Sequence, residues 1–75
     1  MARLPLLSGM QVVKALSKLG YRVTRQRGSH MRLTCPNRKE WPVTVPRYKT
    51  IDRSLLRLII QEANLSADEF LSLLD

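Results

Sequence analysis

His30 is the chain's only imidazole, and it follows Gly28-Ser29 within the run Arg25-Gln26-Arg27-Gly28-Ser29-His30-Met31-Arg32. Among unperturbed side chains only histidine changes charge near neutral pH, so it is the group best placed to give and take a proton there. The guanidinium groups on either side favour an anion, phosphate above all. The rest of the chemical inventory is short. With one histidine and one cysteine, Cys35, the chain supports neither a Cys–His nucleophile pair nor a cluster of metal ligands. All its carboxylates except Glu40 lie beyond residue 50, which leaves a two-carboxylate hydrolase without support. Gly9, Gly20 and Gly28 are too scattered to form a phosphate-cradling loop.

One reaction needs no more than this: cleavage of RNA by its own 2′-hydroxyl. The substrate brings the nucleophile, so the protein has only to move a proton and stabilise charge on phosphorus. A positioned general acid–base contributes about 10²–10⁴-fold, and cations aimed at the developing oxyanion add an electrostatic contribution. His30 is the candidate acid–base. Arg25, Arg27, Arg32 and Lys49 are candidate phosphate ligands, with Tyr48 as a further donor. The plainer alternative stands beside this one. A lone histidine is commonly a surface group without a task, and arginines commonly touch phosphates without taking part in chemistry.

The charge pattern bears on the choice. Residues 1–49 carry eleven Lys and Arg against one acid, whereas residues 50–75 carry two against five, for a net +7 overall. Such segregation makes one part of the molecule a polyanion surface. Nucleic acid fits it better than an anionic membrane, because the cations do not line one long amphipathic helix. The single cysteine excludes an internal disulfide and fits a reducing, cytoplasmic setting. MARLPLL, interrupted by Pro5, is too short for a signal peptide, and no stretch reaches membrane-spanning length.

The elements that must carry these residues can be read from periodicity. Ser8-Gly9-Met10-Gln11 is a capping box with Leu7 and Val12 as its staple, and Val12, Val13, Leu16 and Leu19 recur at helical spacing up to Gly20. This predicts a helix over Gly9–Leu19. The period then shortens to two: Tyr21 and Val23, then Met31, Leu33 and Cys35, then Trp41, Val43 and Val45, with turns at Arg27-Gly28-Ser29 and Pro36–Lys39. Three antiparallel strands follow, the third limited by Pro42 and Pro46 to an edge or a short piece. Strand parity puts Met31 and Leu33 toward the helices and His30 and Arg32 on the opposite, uncovered face. Met10 reads as a packing residue, and Trp41 as a residue of the core or its rim. A second helix starts at the cap Asp52, buries Leu55, Leu56, Ile59, Ile60 and Ala63, and ends at Asn64; a short third helix is capped by Ser66 and Glu69.

Several of these runs resemble the HicA (YcfA-like) mRNA-interferase toxins. They are Leu7-Ser8-Gly9, Val13-x-x-Leu16-x-x-Leu19-Gly20-Tyr21, Arg25-Gln26-Arg27-Gly28-Ser29-His30, Val43-Thr44-Val45-Pro46 and Ile59-x-x-x-Ala63-x-Leu65-Ser66-x-x-x-Phe70-Leu71. The resemblance spans about Leu7 to Leu74, and the arginine-rich Gly-Ser-His run is its most specific part. It implies an α+β domain resembling the double-stranded-RNA-binding fold, α-β-β-β-α with a short extra helix, and helices on one face of a three-stranded antiparallel sheet. Seventy-five residues make a single domain, 1–75, with residues 1–6 a candidate flexible lead-in. The resemblance also implies metal-independent cleavage of mRNA without a cofactor, restrained by a HicB-like antitoxin partner in a type II toxin–antitoxin pair. Carried over, it makes His30 catalytic, Gly28 the turn that frees the strand start and Ser29 a supporting neighbour. In a ribonuclease of this kind Arg25, Arg27, Arg32, Arg47 and Lys49 would hold phosphates, with Tyr48 also toward RNA. The chain departs from the family's pattern at Met10, where a Lys is common, at Arg47-Tyr48, where many members carry a second histidine, and at Ser54-Leu55, where Gly-Thr is common. Two other functions fit the same residues: a non-catalytic double-stranded-RNA-binding module, and a toxin-like subunit of a repressor complex.

Overall fold

The computed structural model describes residues 3–74. Its elements follow in the order α1 (Gly9–Ser17), β1 (Arg22–Arg27), β2 (His30–Thr34), a 3₁₀ turn (Pro36–Arg38), β3 (Val43–Pro46), α2 (Arg53–Glu62) and α3 (Ala67–Leu71). The strands form one antiparallel sheet in the order β1-β2-β3. The architecture is the α+β domain expected from the sequence.

The helices begin where their caps dictate. Ser8 accepts from the Gln11 amide while the Gln11 side chain accepts from the Ser8 amide, and Ser66 and Glu69 repeat the arrangement at α3. Asp52 accepts from the Leu55 amide and opens α2. Each such cap is worth about 1 kcal/mol. At its other end α2 stops at Asn64, which takes a left-handed φ of 54°. Here Arg38 closes the helix: its guanidinium donates to the Ala63 and Asn64 carbonyls and to the Tyr21 hydroxyl. One arginine of the basic half is therefore a fold residue, committed to orphan carbonyls instead of phosphate.

The Ser66 amide and hydroxyl hold the Glu69 carboxyl below the ordinary carboxylate range, with Arg38 adding a smaller pull. A depressed folded pKa means that this contribution to stability is present above the unfolded value and fades as pH falls through the lowered one. Glu69→Gln keeps the acceptor and removes the charge. Its melting temperature should lie below that of the native chain at neutral pH, and the gap should close on acidification. A gap independent of pH would show that the carboxylate charge is not what closes this cap.

Met31 and Leu33 of β2 and Val43 and Val45 of β3 face Val12 and Leu16 of α1, Leu56, Ile59 and Ile60 of α2, and Phe70 of α3 in one core. Leu4 is buried in it as well, its carbonyl taken by the Arg53 guanidinium at 2.7 Å; residues 1 and 2 of the expected lead-in lie outside the described residues. Three expectations need correcting. α1 ends at Ser17, short of Leu19. Met10 points outward, 49% exposed, because the α1 face it occupies is turned from the core. Val23 is 42% exposed, as part of a strand all of whose residues stand in solvent. Trp41 precedes β3 and is half-buried, its carbonyl accepting from the buried Tyr21 hydroxyl at 2.7 Å.

Both margins of β3 are accounted for. The Arg47 amide donates to Ser29, so by alternation Val45 and Val43 turn their backbones to β2 while Thr44 and Pro46 turn theirs outward. Thr44 gives its outward amide to the Glu62 carboxylate of α2 at 3.5 Å, and Pro46 has no amide hydrogen to give.

Candidate nucleic-acid interface

A two-residue turn sets the histidine. Arg27 and His30 pair across Gly28-Ser29, and Gly28 takes φ 60° at the first central position, as a type II′ hairpin requires. The II′ twist matches that of the strands, so β2 begins at His30 without an intervening loop. The ring then stands exposed on the face opposite Met31 and Leu33.

A β-bulge sets the arginines. Simple alternation from Tyr21 and Val23 would send Arg25 and Arg27 to the core side. The register slips between Val23 and Arg25, leaving Thr24 as the extra residue, its hydroxyl donating to the Arg32 carbonyl at 3.4 Å. That slip exchanges the faces. Beyond it Arg25 pairs with Arg32, Gln26 with Met31 and Arg27 with His30. Since directly paired residues share a face, the uncovered side shows one row of Arg27 and His30 and a second of Arg25, Arg32 and Thr44, while Pro46, paired with His30, is buried. Opposed like charges destabilise a bare sheet. An anion lying across Arg25 and Arg32 would relieve that repulsion.

Arg47, whose amide extends the β2–β3 ladder to Ser29, and Lys49 follow β3 on the exposed segment leading toward α2. Tyr48 lies between them, 46% exposed, with its ring 6.4 Å from that of His30 and inclined at 73°. The Tyr48 carbonyl accepts from the Gly9 amide at 2.9 Å, and the Ile51 amide donates to Leu7 at 2.7 Å, so the start of α1 clamps this segment in place. Next to the two rings lies a notch of about 390 Å³, with His30, Thr44 and Tyr48 on the sheet side and Leu55, Leu58 and Glu62 on α2. No group of three or more His, Cys, Asp or Glu able to hold a metal ion occurs among the described residues. Among them, too, no helix is long and apolar enough to cross a membrane.

Residues 9–65 match the family model of the HicA toxins of bacterial toxin–antitoxin systems. The chain belongs to the HicA toxin family. No curated protein and no solved structure matches it. The HicA match takes in the whole sheet, both rings and α2, and it stops just before α3.

Of the residues singled out in the sequence, Arg25, Arg27, His30 and Arg32 come together on one face, and Tyr48 meets His30 edge-on. Gly28 and Ser29 form the turn beneath them. What sequence reasoning missed in this HicA domain is the α2 side of the notch. Leu58 was the available signal: it is apolar, lies off the buried stripe of α2 and is 57% exposed. Glu62 was hidden among the acids of the second half, and only its contact with Thr44 brings it to the sheet.

Proposed function

We propose that this HicA chain is a metal-independent endoribonuclease that cleaves mRNA, using His30 for acid–base catalysis, and that a HicB-like antitoxin holds it inactive. The observation carrying the proposal is the row of Arg27 and His30 on the uncovered face, with Arg25 and Arg32 in the row beside it. A phosphodiester laid along these rows meets an imidazole and guanidinium groups together. His30 takes the 2′-hydroxyl proton as the 2′-oxygen attacks phosphorus, and the imidazolium returns a proton to the 5′-oxygen as the P–O5′ bond breaks. The products are a 2′,3′-cyclic phosphate and a 5′-hydroxyl. The arginines stabilise the charge gathered on the non-bridging oxygens. Each bond change is completed by substrate and imidazole, so the scheme calls on no metal. Gly28 and Ser29 keep the strand start open, while Arg47, Lys49 and Tyr48 extend the contact along the strand. Such an activity belongs with mRNA in the cytoplasm. An acidic antitoxin covering the same face would neutralise the cations and bar the substrate.

The test is cleavage of single-stranded mRNA in excess chelator, with the 3′ ends of the products analysed. Cyclic phosphate ends support the reading. Abolition of cleavage by chelator would overturn the metal-independent scheme. Binding should also depend on salt. If Arg25, Arg27, Arg32, Arg47 and Lys49 each neutralise one phosphate, log K against log salt falls with a slope of about −3.5, at about −0.7 per contact on a single strand. Arg32→Ala should make the slope shallower by about 0.7; an unchanged slope would remove Arg32 from the interface.

A further inference from the structure

The notch beside His30 has a chemistry of its own, and resting on the ribonuclease reading we infer that it is a nucleobase subsite selecting guanine next to the scissile phosphate, with Glu62 as the residue that reads the base. Its composition suits a base better than a phosphate. Cations line the sheet face, yet the notch is walled by the Tyr48 ring and by Leu55 and Leu58, with a carboxylate among its lining residues. Single-stranded RNA is recognised by splaying bases onto aromatic faces and hydrogen-bonding their Watson–Crick edges. Tyr48 supplies the face and stands 6.4 Å from the His30 ring. A base resting on it therefore keeps its own ribose phosphate within reach of the imidazole.

Glu62 decides which base. A carboxylate only accepts hydrogen bonds, through two oxygens with about four lone-pair sites. The Thr44 amide uses one of them, at 3.5 Å. Guanine presents two adjacent donors, N1–H and N2–H, which match the two oxygens of a carboxylate in a bidentate pair. Adenine and cytosine each set a ring-nitrogen acceptor beside their amino group, and uracil flanks its one donor with two carbonyls. Each of these three turns at least one acceptor toward the carboxylate. Position agrees with the role. Glu62 closes α2, and its contact with the Thr44 amide at 3.5 Å brings it to the margin of the strand that ends beside His30.

The experiment uses 2′-O-methyl heptamers, which cannot be cleaved: seven uridines, or six around a central guanine, adenine or cytosine. Binding is measured by fluorescence anisotropy for the native chain, Glu62→Gln and Tyr48→Ala. The native chain should bind the guanine heptamer about tenfold more tightly than the other three. Glu62→Gln, which keeps an oxygen for Thr44 and so preserves the fold, should abolish the preference and bring the guanine and uridine heptamers to the same affinity. Tyr48→Ala, at an exposed position, should weaken all four. Equal affinities across the native series, or a guanine preference that survives Glu62→Gln, would overturn the subsite. Cleavage of the matching 2′-hydroxyl heptamer is scored separately. Guanine-selective binding without cleavage would leave the subsite standing and remove the nuclease; cleavage with no base preference would do the reverse.

Discussion

Cleavage of mRNA by the His30→Ala protein should fall by about 10²–10⁴-fold, the contribution of one positioned acid–base, while RNA binding stays close to native. The two effects separate because of where the ring sits. His30 lies on the uncovered face and fills no part of the core, so its removal opens no cavity. An exposed substitution of this kind usually changes stability by less than about 0.5 kcal/mol. The arginines keep their register, so the phosphate contacts proposed for them should remain. Free imidazole added to the alanine variant should restore part of the rate, since the gap left by the ring opens to solvent. Equal rates for native and variant proteins would remove the catalytic assignment, even if both bound RNA.

The second large effect comes from a residue with no side chain. A Cβ on Gly9 would stand 2.0 Å from the Pro46 carbonyl oxygen and 3.1 Å from the Arg47 Cα, both backbone atoms that no rotamer change can move aside. Gly9→Ala must therefore push the start of α1 away from Pro46–Tyr48. Forcing extra volume into such a contact costs about 1–3 kcal/mol, at times more. A chain of this size has only about 4–11 kcal/mol in hand. The melting temperature should drop by about 4–8 °C for each kcal/mol lost. Cleavage should fall as well, even far below the melting temperature, because the segment displaced carries Tyr48. An unchanged melting temperature would show that the helix start accommodates a methyl group, and that the clamp on Tyr48 is loose.

Much of this was legible because it is local. Ser8 with Gln11, Asp52, Asn64 and Ser66 with Glu69 mark helix ends through bonds three residues long, and each cap forms where the sequence puts it. His30 on the uncovered face follows from the parity of Met31 and Leu33 within one short strand. The arginines of β1 could not be placed in this way. Their face depends on the bulge at Thr24, and neither a glycine nor a break in polarity betrays it. The notch was out of reach for a different reason: Tyr48 and Glu62 meet only when α2 settles along β3, and no sequence spacing encodes that distance. Met10 shows the limit of composition. An apolar residue beside a cap reads as packing, yet this one faces solvent.

The way β3 is sealed has a bearing on how the protein behaves when concentrated. A neighbouring molecule that tries to zip onto that side finds one hydrogen already bonded and a proline where the next should be. Only the arginine-rich flank of the sheet remains able to recruit another backbone, and two copies joined there would have used their single free flank. Strand-to-strand pairing of this kind would stop at two copies.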